Sequence, residues 1–301
     1  MNIAILSKGP GNYSTKRLKE EAKKRGHNVR VIDYGKCYVT IERSMPVVKF
    51  EGEDLSHVDV IIPRIAASLT KYGTAMVRQF EMQGIHSSAS SLAINRTRDK
   101  LRATQILARA GVGIPKTVFA RETADLEDVI SLAGGAPLII KMARGTHGRG
   151  VVLAETKKAA EAVMQAFYVG GINFLVQEYI DEADGSDIRV LIVGGKVIAG
   201  VKRQSLDDDF RSNLHQGGEA VSVKLTDDER KTAVKAASAM GLPTCGVDMV
   251  RSDRGPLVLE VNSSPGLFSV ESVSGKNVAG KIIESIEQSA SRRKRKDRVG
   301  A

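Results

Sequence analysis

The chain has 301 residues, enough for two or three domains, and its 42% hydrophobic content excludes wholesale disorder. Lysine and arginine exceed aspartate and glutamate 45 to 35, a formal charge of +10 that favours nucleotides, acidic peptides or phosphate backbones as partners. Cys37 and Cys245 are too few for a disulfide framework, and no apolar run reaches the ~18 residues of a membrane span, so a cytoplasmic protein is expected.

In chain order, NIAIL, the amphipathic STKRLKEEAKKRG, VRVID, VDVII and a helix around TAMVRQFEMQG predict a parallel α/β domain over 1–95. The opening MNIAILSKGPGNYS reads as a first strand rather than a secretory leader. Gly26 stands where a helix end wants a left-handed residue. SSASSLAINRT, 87–97, reads as a small-residue connection into a helix at DKLRATQILARAG. Beyond it, APLIIK, GVVLAE and FLVQEYI are extended, and Ala160, Val163, Met164 and Phe167 recur at helical spacing. Gly194-Gly195 between DIRVLIV and KVIAGV is a two-residue hairpin signal. Thr226 with Glu229 forms a capping box for a helix reaching Met240. SRRKRKDRVGA, 291–301, predicts a disordered basic tail.

LVLEVNSSPG, 257–266, carries charge inside an apolar strand. A three-residue loop at Asp253-Arg254-Gly255 would join it to CGVDMV and set Asp248 opposite Glu260, with Asn262 on the same face. Facing carboxylates repel unless a cation lies between them, and oxygen-only ligands suit magnesium. A salt bridge to a nearby arginine is the competing reading. ARGTHGRGV puts Gly145, Gly148 and Gly150 in a loop whose backbone N–H groups can approach phosphate, although it lacks the ending of a P-loop. Lys141 beside it and Lys100 at a helix start are candidate phosphate cations. QEYI offers a strand exit at Glu178, Tyr179 and Ile180, followed by Asp187 and Arg189 on one strand face. The polar stretch 202–220 has the composition of a functional loop, with Arg203 and Arg211 as anion-binding candidates.

With Lys100, Lys141, GTHGRG, QEYI, RSN at 211–213, Asp248 and EVNSSPG in this order, the chain resembles the ATP-grasp superfamily. IIPRI, RQFEM, RDKLR, GGAPLIIK, DIRVL, DFRSNLH and RGPLVLEVNSSPGL resemble the RimK-type alpha-L-glutamate ligase family. The resemblance implies a mixed α/β and α+β fold. An N-terminal preATP-grasp domain (1–95) would be followed by a central lobe (96–180) and a C-terminal lobe (181–290), the two lobes clamping ATP. By matching position, Lys100 and Lys141 would meet phosphates and Gly145, Gly148 and Gly150 would form a lid loop. Glu178, Tyr179 and Ile180 would meet adenine, and Asp187 ribose. Arg211, Ser212 and Asn213 would face the nucleotide, with Arg203, Arg211 and Asn213 catalytic. Asp248, Glu260 and Asn262 would hold two Mg2+ ions, with Mn2+ as a substitute. Arg64 and Arg203 are the candidate carboxylate contacts. Arg144, His147 and Arg149 make the lid loop more basic than the family pattern.

The implied reaction adds L-glutamate to the acidic C-terminus of a small-subunit ribosomal protein through an acyl phosphate, with poly-glutamate as an extension and ADP and phosphate released. No membrane and no direct nucleic acid are required, and a homo-oligomer is expected. Two alternatives remain open: a ligase with a small-molecule acceptor, and a non-catalytic ribosome or nucleic-acid binding protein led by the basic tail.

Overall fold

The computed structural model describes residues 1–41, 47–120, 125–143, 150–205 and 219–296, the last five without side chains. β1 (Asn2–Leu6), α1 (Tyr13–Lys24) and β2 (Asn28–Ile32) open the chain. An antiparallel ribbon of β3 (Tyr38–Thr40), β4 (Val47–Phe50) and β5 (Glu53–Asp54) precedes β6 (Val60–Pro63), α2 (Thr70–Met82) and β7 (His86–Ser87). Alternation of strand and helix gives the expected parallel sheet, in the order β2-β1-β6-β7. Gly26 is left-handed, with φ at 79°, as its place after α1 requires.

The supposed connection at 87–97 is instead a helix, α3 (Ser91–Arg98). Its serines read as linker by composition, yet Ser90 Oγ caps the helix by accepting from Ala93 N at 3.1 Å, and Ala93 and Ile94 are buried. Asp99 then caps α4 (Lys100–Arg109), accepting from Arg102 N at 3.0 Å.

β8 (Thr117–Ala120), α5 (Leu126–Leu132), β9 (Leu138–Met142), β10 (Val151–Ala154), α6 (Lys157–Val169) and β11 (Phe174–Glu178) build an antiparallel sheet ordered β10-β9-β11-β8. Its two helices close a separate core on it, around Val129, Ile130, Leu138, Ile140, Met164 and Phe174.

β12 (Ser186–Val193), β13 (Lys196–Gln204), β14 (Glu219–Ser222), α7 (Asp227–Met240), β15 (Cys245–Val250) and β16 (Leu257–Asn262) follow. They form an antiparallel sheet ordered β14-β13-β12-β15-β16. The Thr226–Glu229 capping box at the start of α7 is present in both directions. α8 (Phe268–Ser274) and α9 (Val278–Lys296) return to the first sheet. α9 continues past residue 291, where the sequence reading begins a disordered tail; residues 297–301 lie outside the described residues.

This last sheet has no core of its own. One of its faces joins Leu6, Ile61 and Phe80 through Val190, Val247 and Met249. Residues Leu191, Val201, Ile283 and Ile286 join Ile3, Ile5 and Leu18 in a second cluster. Both cysteines are free and buried. Among the described residues no helix is long and apolar enough to cross a membrane.

Candidate active site

Asp248 and Glu260 face each other across β15 and β16, and Asn262 shares that face, as the period of two predicts. The turn is not the expected three-residue loop. Pairing ends at Val250 and Leu257, and the chain reverses through 251–256, where Gly255 N donates to Ser252 O at 2.9 Å. A bulge beside Asp248 corrects the count: Met249 faces Val258, and Leu259 is the additional residue that lets Glu260 meet Asp248.

Asp248 has two arginines as partners. Arg189, its neighbour across the β12–β15 ladder, donates Nε to Oδ1 at 2.7 Å and Nη2 to Oδ2 at 2.6 Å. Arg203 Nη2 lies 3.0 Å from the same Oδ2. Arg203 also donates Nε to Asp187 Oδ1 at 2.7 Å, and its Nη2 binds the other Asp187 oxygen. Asp187, Arg203 and Asp248 are all buried. Burial opposes ionisation of Asp248, but the charges of Arg189 and Arg203 outweigh it and hold its carboxyl well below the usual range.

Two residues named from the sequence meet in this lattice. Arg203, expected to be catalytic and to bind substrate, directs its guanidinium at Asp187 and Asp248. Asp187, expected beside ribose, has both carboxylate oxygens on Arg203. A bulge produces the pairing: a regular hairpin around Gly194-Gly195 would face Asp187 with Lys202, but the extra residue Ile198 in β13 brings Arg203 opposite. Arg189 was noted on the strand face but not as a site residue. Its i, i+2 spacing from Asp187 was visible, whereas its partner on β15 is a non-local pairing.

Glu260 is exposed and accepts from Asn262 Nδ2 at 2.9 Å, while the same nitrogen lies 3.3 Å from Asp248 Oδ2. Its negative charge acts on Arg98, Lys100, Lys141 and Arg189, side chains drawn from three parts of the chain. Lys141, on β9, is pushed down to about 8 by burial, which Glu260 only partly offsets. Burial lowers Lys100 as well, and Lys100 N donates to Ala143 O at 3.4 Å, tying the start of α4 to the end of β9.

Arg64 follows β6, and its Nη1 donates to Pro265 O at 2.9 Å, fastening the SSPG turn to the first sheet. Burial pushes its guanidinium down to about 10. Gly150 has φ at 71°, and a Cβ there would come 2.2 Å from Met142 Sδ, so a larger residue would be strained and would displace the Met142 side chain. Glu178 ends β11, and its Oε1 accepts from Lys116 N at 2.5 Å and Arg254 Nη2 at 2.6 Å. Tyr179 follows half-buried, and Ile180 packs with Val250 and Leu257. Gly145, Gly148, Arg211, Ser212 and Asn213 lie outside the described residues.

Two carboxylates and an amide converge, so a hard cation fits this donor set; turning the Asn262 amide about χ2 presents its oxygen where the nitrogen now stands. Among the described residues no cluster of three or more His, Cys, Asp or Glu side chains could hold a metal. A cation here would therefore complete its shell with water and phosphate oxygens. Facing this acidic face, Lys100 and Lys141 supply positive charge for an anion set between the two groups.

Two family models match nearly the whole chain: the RimK PreATP-grasp domain over residues 1–94 and the RimK-like ATP-grasp domain over 97–286. A protein of Aeromonas salmonicida (strain A449) called "Probable alpha-L-glutamate ligase" is 57% identical over 293 residues, 97% of this chain and 98% of that one. The crystal structure of a RimK domain ATP-grasp protein from Sphaerobacter thermophilus DSM 20745 superposes with a TM-score of 0.74 at 20% identity, covering 95% of this chain and 99% of the other. The ATP-grasp ligase PsnB, solved with a phosphomimetic variant of its minimal precursor, Mg and ADP, gives 0.72 at 17% identity over 95% and 97%. Shared fold, and relatives identical at more than half of their positions, make this chain a member of the RimK-like ATP-grasp family, an ATP-dependent ligase that forms C–N bonds with release of ADP.

Proposed function

We propose that the enzyme joins the amine of L-glutamate to the C-terminal carboxylate of an acidic peptide, the tail of a small-subunit ribosomal protein, through an acyl phosphate in the cytoplasm. The observation that carries this reading is the convergence on Glu260 of cations from the central part of the chain, Arg98, Lys100 and Lys141, and from the C-terminal lobe, Arg189. Such an arrangement suits a phosphoryl group held between opposed charges. The relatives' name supplies the amino acid.

A carboxylate is a poor acyl donor because its oxygen is a poor leaving group. Attack of a carboxylate oxygen on the γ-phosphorus of ATP breaks the bond to ADP and converts that oxygen into part of a phosphate leaving group. The glutamate amine then adds to the acyl carbon, loses a proton, and expels phosphate. Lys100 and Lys141 draw the phosphates against the acidic face and offset their charge. When bound at Asp248, Glu260 and Asn262, two Mg2+ ions, or Mn2+, would neutralise the β and γ phosphates.

In this reading the three parts divide at 1–95, 96–180 and 181–290. Gly150, with Gly145 and Gly148, belongs to a lid that excludes water from the acyl phosphate. Glu178, Tyr179 and Ile180 border the adenine, and Arg211, Ser212 and Asn213 face the nucleotide. Asp187 would reach ribose only by yielding part of its bond to Arg203.

Incubation with Mg-ATP, glutamate and either ribosomal protein or small-molecule acceptors, followed by mass spectrometry, tests the proposal. A ladder of glutamate additions on the ribosomal protein is expected. Product formed only on a small molecule, or no ATP turnover at all, would overturn it.

A further inference from the structure

Buried acids in the described residues already have cations of their own. Glu21 and Glu271 bind Arg17, Glu229 binds Arg251, and Asp187 and Asp248 share Arg189 and Arg203. Arg64 and Arg98 are left without an ion pair among the described residues, although both are half-buried. Each contributes one hydrogen bond to a backbone carbonyl: Arg64 Nη1 to Pro265 O at 2.9 Å, and Arg98 Nη2 to Ile65 O at 2.7 Å. A guanidinium has five donors, so most of their capacity is unspent.

A desolvated cation without a partner is costly, and a fold retains one where a ligand completes it. Arg98 Nε is buried and has no hydrogen-bond partner, and Ser263 Oγ is in the same condition on the turn that Arg64 holds. Arg96 Nε also lacks a partner, but that side chain lies beside Gly241 at the carbonyl end of α7. Arg98 instead feels the charge of Glu260 and lies close to Tyr34. Its environment therefore belongs to the reaction site.

In the proposed reading Lys100 and Lys141 meet the phosphates, and they stand on α4 and β9. Arg64 and Arg98 stand at the end of β6 and the end of α3, anchored on the adjoining segment 64–65 and on Pro265. We propose that Arg98, with Arg64 and the Ser263 hydroxyl, forms a receptor for a non-reacting carboxylate of the acidic amino-acid substrate. The inference rests on the glutamate-ligase reading, in which free glutamate brings two carboxylates that do not react and the acceptor's terminal glutamate brings one. Planar guanidinium donors match such a carboxylate, and a neutral amide in its place would leave them unpaired.

The test is steady-state kinetics of the full-length enzyme and its Arg98→Met, Arg98→Lys and Arg64→Met variants, varying glutamate, acceptor peptide and ATP separately. Losing charge-assisted hydrogen bonds should raise one KM roughly 10- to 100-fold, with the KM for ATP within about twofold. A rise for glutamate places the free amino acid in the receptor; a rise for the peptide places the acceptor's terminal side chain there. Arg98→Lys should recover part of the loss. Removing a half-buried cation whose Nε has no partner should leave the melting temperature of the ligand-free protein unchanged or higher, whereas a structural role for Arg98 predicts a fall. Carboxylate KM values within threefold of wild type, or an equal rise for ATP, would overturn the proposal. Failure of the wild type to incorporate glutamate would overturn the ligase reading itself.

Discussion

The central lobe closes its own core between the β10-β9-β11-β8 sheet and helices α5 and α6, whereas the first and last sheets share both of theirs. Lys141 belongs to the self-contained lobe; Arg64, Arg98, Arg189, Asp248 and Glu260 belong to the fused body. The difference separates two tasks. Acids and arginines that need fixed geometry are built on the fused body, and the Lys141 cation stands on the lobe with a separate core. Links between the two include Lys100 N to Ala143 O at 3.4 Å and the Arg254–Glu178 pair.

The two acids of the body give the sharpest way to break this picture. Glu260→Ala and Asp248→Ala should each lower turnover roughly a hundred- to a thousandfold, because each removes a carboxylate that would hold the cation opposite the phosphates. Their stabilities should diverge. Glu260 is exposed, so its loss should cost under ~0.5 kcal/mol. Loss of Asp248 leaves Arg189 without its acid and Arg203 with Asp187 alone, costing about 3–5 kcal/mol in denaturant unfolding. Equal stabilities would contradict the lattice.

Core truncations separate the regions next. Phe80→Ala and Phe174→Ala should each cost about 3–5 kcal/mol, since both rings are fully buried. Hydrogen exchange should show Phe174→Ala loosening only the central lobe, while Phe80→Ala loosens the first and last sheets together. A global response to Phe174→Ala would contradict the division.

Lys141 supplies a pH signature. With its ammonium pushed down to about 8 by burial, ATP affinity should fall as pH rises through 8, by up to about tenfold per unit, and Lys141→Met should flatten that profile. Because the unfolded chain holds this proton to a higher pH than the folded one, Lys141 makes stability rise with pH between about 8 and its ordinary 10.5. The smallest effect is expected at the link: Arg254→Ala should change stability by less than ~1 kcal/mol, since Arg254 is exposed, and act mainly on the KM for ATP.

Much of this was legible in sequence where the information is local. The period of two placed Asp248, Glu260 and Asn262 on one face, and the Thr226 capping box and Gly26 fixed helix ends. What escaped depended on bulges and on non-local pairing. An extra residue at Leu259 moved the turn, and another at Ile198 chose Arg203 over Lys202 as the partner of Asp187. No local rule reports that β12 lies beside β15, so the bond from Arg189 to Asp248 was hidden. α3 was hidden for a different reason: serine-rich composition resembles a linker until tertiary packing buries Ala93 and Ile94.

The most direct test of the acyl-phosphate account is to label the acceptor's C-terminal carboxylate with heavy oxygen and follow the label during glutamate addition. Phosphate released in the first addition by the wild type should carry one heavy oxygen, later additions activating the unlabelled carboxylate of the glutamate just joined, and Glu260→Ala should suppress labelled phosphate and product together. Unlabelled phosphate accompanying that first addition would contradict the mechanism.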